Sequence, residues 1–281
     1  MPELPEVDAL VGFLRTRAVG ERVERADLAE LSLLKTYDPP LTALVGRTVD
    51  DVSRVGKALI LTLGDLELVC RLARAGWLAW HDRVPATAVR MGRGPLGLRV
   101  SFTSGAGFDL REAGTTKNAS VALVHDRHEV PAVAQAGPDA GSIDAETFAA
   151  ALGGTRARIK NALVDQRLLA GIGNAYSDEI LHVARLSPFA PAHGVDPDHV
   201  LEAMRGVLGT AREALEGLPP AQIKAAKKRG LRVHGRAGEP CPVCGTTIAE
   251  VSYADTSLQY CPTCQTGGRR LSDRRMDRLL R

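Results

Sequence analysis

Cys241 and Cys244 stand as one Cys-x-x-Cys pair, and after a gap of 16 residues Cys261 and Cys264 repeat the spacing. No other feature restricts what this chain can fold into so strongly. Two matched knuckles can bring four thiolates around one ion in a tetrahedron, the arrangement of a structural zinc ribbon holding one ion. An iron site of the same geometry or a redox pair is the weaker reading, because both knuckles match and Gly245 follows the first. A closed four-sulfur site does no chemistry itself. Its use is to fold the hairpin over 246–260, whose few apolar residues could not fold it alone. The fifth cysteine, Cys70, lies in the apolar run Leu68-Val69-Cys70 and reads as a buried strand residue.

Ahead of the knuckles the hydrophobic period changes twice. Leu10, Val11, Leu14 and Ala18 recur at helical spacing after Pro5 and stop at Gly20, which predicts an amphipathic helix over 5–19. Alternation then takes over from 21 to 124. Leu59, Leu61 and Leu63 form one such run and Leu96, Leu98, Val100 and Phe102 another, with Gly64-Asp65 and Ser104-Gly105 as turns. This predicts an antiparallel β-sandwich, interrupted between Trp80 and Pro95 by a stretch without period that reads as a mobile loop. Gly137-Pro138-Asp139-Ala140-Gly141 ends the pattern, and helical faces follow: Ile159, Ala162 and Leu163, then Ile180, Leu181 and Ala184. Asp196-Pro197 caps a further helix that closes near Gly217-Leu218-Pro219-Pro220. The expected fold is α+β and multidomain: a β-sandwich domain with an N-terminal helix over 1–136, a helical domain over 137–220, and a zinc domain over 221–281.

Charge supports a polyanion partner. The formal net charge is only +3, yet from residue 221 onward 12 Lys and Arg face 5 Asp and Glu, a local +7 that leaves −4 for the preceding 220 residues. Such a basic end is the usual footprint of nucleic acid. No apolar run approaches the roughly 20 residues needed to span a bilayer, and the acidic, proline-bearing start lacks a signal peptide's features. The expectation is a cytoplasmic, nucleoid-associated monomer that does not use a membrane and has no disulfides.

Three further stretches bear on chemistry. Met-Pro-Glu-Leu-Pro-Glu-Val opens the chain, and loss of Met1 would expose the secondary amine of Pro2 beside Glu3. An α-amine has a pKa of roughly 8, so it is partly nucleophilic near neutrality; equally, Pro and Glu suit a helix's first turn. Gly171-Ile-Gly173-Asn174 feeds a helix and could offer N–H groups to a phosphate, or could be a plain connection. Lys160 is either a phosphate ligand or a solvated lysine.

Taken in order, these pieces resemble the formamidopyrimidine-DNA glycosylase and endonuclease VIII family over nearly the whole chain. The specific matches are Pro2-Glu3-Leu4-Pro5-Glu6-Val7, Gly56-Lys57, Ile159-Lys160, Gly171 to Glu179, and Val233-His-Gly-Arg236 to Cys241 with its four-cysteine finger. The resemblance implies a helix-two-turns-helix fold for the second domain. It also implies that Pro2 attacks the sugar C1′ of a damaged nucleotide, releases the base through a Schiff base and cleaves the strand by elimination. Glu3 would handle protons at the sugar, and Lys57 would lie near the active site on a hairpin. Lys160 and Asn174 would contact phosphates of damaged DNA, double- or single-stranded.

Three departures bear on substrate choice. Where the family commonly carries a His-Leu-Gly-Met-Ser-Gly strand, this chain has Arg71-Leu-Ala-Arg74-Ala-Gly76. The family's second, Arg-Phe hairpin aligns with Glu112-Ala113, and its finger arginine with Thr256. Arg74 or Arg111 would then substitute by stacking or by reaching a phosphate. The preferred lesion stays open among oxidised pyrimidines, abasic sites and bulkier adducts. A non-catalytic binder of damaged or distorted DNA on the same scaffold is the alternative. A zinc-ribbon factor acting on RNA or in a protein assembly explains the basic tail and the cysteines but leaves Pro2, Lys57 and Lys160 without a purpose.

Overall fold

A computed structural model describes residues 1–92, 94–113, 116–253 and 256–271. The basic residues beyond 271 and the finger-hairpin residues Ala254 and Asp255 lie outside the described residues. Two compact units form, 1–136 with 214–226, and 137–213 with 227–281.

In the first unit, helix α1 (Leu4–Arg17) ends next to Ala18, whose N–H donates to the Leu14 carbonyl. Strands β1 (Val23–Leu28), β2 (Asp51–Val55), β3 (Ala58–Leu63), β4 (Leu66–Arg71), β5 (Gly76–His81), β6 (Leu96–Phe102), β7 (Gly107–Glu112) and β8 (Ser120–Val124) follow. They form two antiparallel four-stranded sheets, β1-β6-β7-β5 and β2-β3-β4-β8. Side-chain alternation explains the sandwich. Leu59, Leu61 and Leu63 join Leu98, Val100, Phe102 and the α1 residues Val7, Leu10 and Leu14 in one core. Their neighbours Ala58 and Ile60 face the other way and pack with Val69, Ala122 and Val133, the last from the short helix α2 (Pro131–Ala134). The second sheet is thus covered on both faces. Cys70 is fully buried in the main core, and burial pushes its thiol up to about 12, so it is inert.

The stretch after Trp80 is irregular in its described residues only from 82 to 95, because Trp80 and His81 still pair with β7. Segment 82–85 returns over β6 and β7: Val84 donates to the Gly105 carbonyl, and Arg99 Nη1 reaches the Pro85 carbonyl at 3.4 Å. Beneath it, fully buried Asp109 accepts from Arg99 (2.7 and 3.0 Å) and Arg111 (2.7 Å) and lies 3.0 Å from His81.

The second unit contains α3 (Ala145–Gly153), α4 (Ile159–Val164), α5 (Asn174–Val183) and most of α6 (Pro197–Leu215). Ile159, Leu163, Ile180, Leu181, Val200 and Met204 are buried, as their helical spacing predicts. Residues 220–230 form α7 (Pro220–Gly230), begun by proline at its first position. Its Ile223 is fully buried in the core of the first unit. The finger carries β9 (Ala249–Ser252) paired with β10 (Ser257–Tyr260) and then α8 (Pro262–Thr266). The α+β architecture with sandwich, helical domain and finger is the one expected. Among the described residues, no helix is long and apolar enough to cross a membrane.

Candidate functional site

Pro2 is buried and Glu3, 2% exposed, caps α1. A capping box closes that first turn, with the Glu3 N–H donating to Glu6 Oε2 at 2.8 Å. One turn on, Asp8 pairs with Arg54 of β2, and Arg54 Nη1 also donates to the Gly56 carbonyl at 3.2 Å. Gly56 and Lys57 are the two central residues of the β2–β3 turn, closed by the Val55–Ala58 pair. Gly56 takes φ +53°, and glycine at the first central position suits the twist of such a hairpin. The start of α1 and the Lys57 turn are therefore tied together within one unit. Lys57 is half-buried.

Arg74 is exposed on the β4–β5 turn. That turn is tight: a Cβ on Gly76 would stand 2.1 Å from the Leu72 carbonyl oxygen. Ala73 takes φ +49°, a left-handed conformation that favours glycine, where the family pattern carries one. Arg111 is committed to Asp109. Glu112 turns inward, 5% exposed, and its carboxylate accepts from the backbone N–H of Asn118 (2.9 Å) and Ala119 (3.0 Å), closing the loop before β8. Thr256 is exposed and its carbonyl accepts from the Tyr253 N–H at 2.7 Å.

Lys160 is neither solvated nor unpartnered. It is 6% exposed, and Nζ donates to Asp178 Oδ1 (2.6 Å), Ser177 Oγ (2.8 Å) and the Asn174 carbonyl (3.2 Å). An ammonium has three donors, and these acceptors use all of them. The lysine braces the N-terminal turn of α5. Asn174 opens that helix, and its Nδ2 donates to the Ser257 carbonyl of β10 at 2.6 Å.

Two carboxylates that sequence reasoning left without a role join α5 to the finger. Asp178 Oδ2 lies 2.7 Å from His234 Nδ1 and accepts the Gln259 N–H at 3.2 Å. Glu179 accepts three backbone N–H groups, from Arg232 (2.7 Å), Val233 (2.9 Å) and His234 (2.8 Å). Burial pushes the Glu179 carboxyl upward, against those three donors. An acidic pair inside an apolar helical pattern was the one signal of this in the sequence.

Cys241, Cys244, Cys261 and Cys264 converge with all four sulfurs within 4.8 Å of one another. Sulfurs 2.3 Å from a tetrahedral zinc stand about 3.8 Å apart. Here Cys241 and Cys264 are 4.0 Å apart and Cys244 and Cys264 3.5 Å, so the set fits one ion. Val233 and Ile248 pack beside Cys241 and Cys261 in a small separate core.

A β-sandwich headed by a proline–glutamate turn, a helical module and a four-cysteine finger follow one another along the chain, and comparison with known proteins fixes the family to which that order belongs. Residues 1–116 match the formamidopyrimidine-DNA glycosylase N-terminal domain, 136–220 its H2TH domain, and 238–267 the zinc finger found in FPG and IleRS. A formamidopyrimidine-DNA glycosylase of Symbiobacterium thermophilum is 34% identical, over 94% of this chain and 89% of its own length. An uncharacterized formamidopyrimidine-DNA glycosylase-like protein of Mycobacterium tuberculosis is 55% identical over 52% of this chain and 94% of its own. The Lactococcus lactis glycosylase, solved non-covalently bound to DNA containing an abasic site, superposes with a TM-score of 0.80 at 24% identity, covering 94% of this chain and 99% of that one. The chain belongs to the formamidopyrimidine-DNA glycosylase family.

Proposed function

We propose that this protein is a bifunctional DNA glycosylase and abasic-site lyase that excises a damaged base with its N-terminal proline. Met1, 41% exposed, is first removed. The Pro2 nitrogen then attacks C1′ and the glycosidic bond breaks, the base leaving with a proton. The sugar ring opens as its ring oxygen takes a proton, giving the iminium form of a Schiff base. Loss of a C2′ proton expels the 3′ phosphate and cuts the strand. Glu3 carries protons at the sugar and Lys57 supplies positive charge beside it. What supports the reading is the tie between the α1 start and the Lys57 turn through Asp8 and Arg54, which keeps the adjacent Pro2 and Glu3 in one unit with the sequence-distant Lys57.

DNA would be held by the N-terminus of α5, whose dipole favours an anion, with Asn174 as side-chain donor and Lys160 as brace. Backbone contacts would offset the few kcal/mol of unstacking an extruded base costs, and binding would weaken steeply with salt. Arg74 is the exposed cation available on the turn where relatives carry an apolar residue. We take segments 1–136, 137–220 and 221–281 as the working division, a monomer with one zinc ion. When bound, zinc supplies no reaction step; it folds the hairpin that meets Asn174. Borohydride reduction with abasic-site duplex tests the reading. A covalent adduct is expected, absent when Pro2→Gly carries one extra N-terminal residue; binding without any adduct would leave a damage-binding protein.

A further inference from the structure

We propose that His182 is a hydrogen-bond donor to the metal-bound thiolate of Cys241, a positioning residue through which α5 holds the zinc knuckle. His182 lies on α5, four residues after Asp178 and three after Glu179, so it shares their helix face. It is 3% exposed, and its Nε2 stands 3.3 Å from Cys241 Sγ. Nδ1 is buried and has no hydrogen-bond partner among the described residues. An imidazole with one orphaned nitrogen is a costly filler, since leucine or phenylalanine would pack there with no buried polar atom left unmatched. The sulfur is what the ring gains.

The chemistry of the donor set explains why. Four thiolates around a divalent zinc leave two excess negative charges, and N–H donors aimed at sulfur spread that charge and fix the ligand's orientation. Cys241 Sγ takes the Val243 backbone N–H at 3.5 Å from within its own knuckle. His182 adds a donor from a different element. A metal-bound thiolate only accepts, so the ring proton belongs on Nε2. The face of α5 then meets the finger at three successive points: Asp178 at His234 and Gln259, Glu179 at 232–234, and His182 at the metal ligand itself. The helix that opens with Asn174 is thereby joined to the knuckle by a contact that depends on the sulfur being bound as thiolate. This holds whether or not Pro2 is a nucleophile.

Cobalt(II)-substituted full-length protein tests it. In His182→Phe we expect metal affinity to fall about tenfold, with the sulfur-to-cobalt charge-transfer band moved to lower energy and the four-sulfur ligand-field pattern kept. His182→Gln, which keeps an N–H donor, should recover part of both. Folded His182→Phe with unchanged affinity and an unchanged band would overturn the proposal, as would a three-sulfur, one-nitrogen spectrum in the unmodified protein. A further arm needs no variant. In protein loaded with cadmium-113, scalar coupling between the metal and the His182 ring proton on Nε2 is expected, and a ring protonated on Nδ1 without such coupling would contradict it.

Discussion

Lys57 and Lys160 enter through the same family resemblance and end in opposite surroundings. Lys57 sits half-buried on a two-residue turn between strands, placed by backbone geometry and by the Arg54 contacts beneath it. Lys160 is buried with all three donors spent on α5. The two ends of this molecule are built on different principles. Groups proposed for covalent chemistry are presented by a helix start and a hairpin turn. Groups proposed to hold the DNA backbone belong to a buried polar network that unites α4, α5 and the finger, so a change there is expected to alter stability as well as binding.

The largest expected effect is on the second region. Chelating the metal, or Cys261→Ser, should remove on the order of 10 kcal/mol of folding free energy from the finger. Protease cleavage within 232–267 and loss of DNA binding would register it. Retained protection after complete zinc loss would break the link between metal and grip. Next, Asp178→Ala should cost about 3–5 kcal/mol, because it leaves the Lys160 charge buried and unpaired, whereas Lys57→Ala, at a half-buried turn position, should cost less stability while slowing strand cleavage. Denaturant midpoints of the two variants compare them directly; equal losses would erase the contrast.

A smaller effect concerns Asp109 in the sandwich. Burial by itself raises its carboxyl, but hydrogen bonds from Arg99, Arg111 and His81 outweigh that and hold it at about 2, against an ordinary 3.8. A folded-state value below the unfolded one stabilises fully above the unfolded value and loses that stabilisation as pH falls toward 2. The sandwich should therefore lose about 2 kcal/mol between pH 4 and 2, and Asp109→Asn should abolish that part of the slope in acid titrations of stability. The smallest effect is a gain. Ala73→Gly should relieve the positive φ of the β4–β5 turn and stabilise by about 1 kcal/mol, read as a raised thermal midpoint.

Much of the fold was legible because it rests on local period. Leu10, Val11 and Leu14 gave α1, and Leu59, Leu61 and Leu63 gave a strand with one face in the core. The four cysteines marked the finger for the same reason, since the ligand spacing is short and repeated. Partnerships across long separations were not legible. Glu179 bonds residues 53 to 55 positions away and Asp178 reaches Gln259, 81 positions on, and no periodic signal encodes such pairings. Lys160 is the sharpest case, because a lysine beside an apolar face reads as solvated until its acceptors are known. Residues 220–230, notable in sequence for their lysines, fold as a helix because Ile223 and Ala226 lie three apart and pack into the sandwich core.

If the amine of Pro2 is the nucleophile, the trapped adduct must sit on it. Protein lacking Met1 is reduced with borohydride in the presence of abasic-site duplex, digested with nuclease and protease, and its peptides are weighed. The added sugar fragment is expected on the N-terminal peptide beginning at Pro2. An adduct confined to a lysine-bearing peptide, or no adduct from fully processed protein that still binds the duplex, would contradict it.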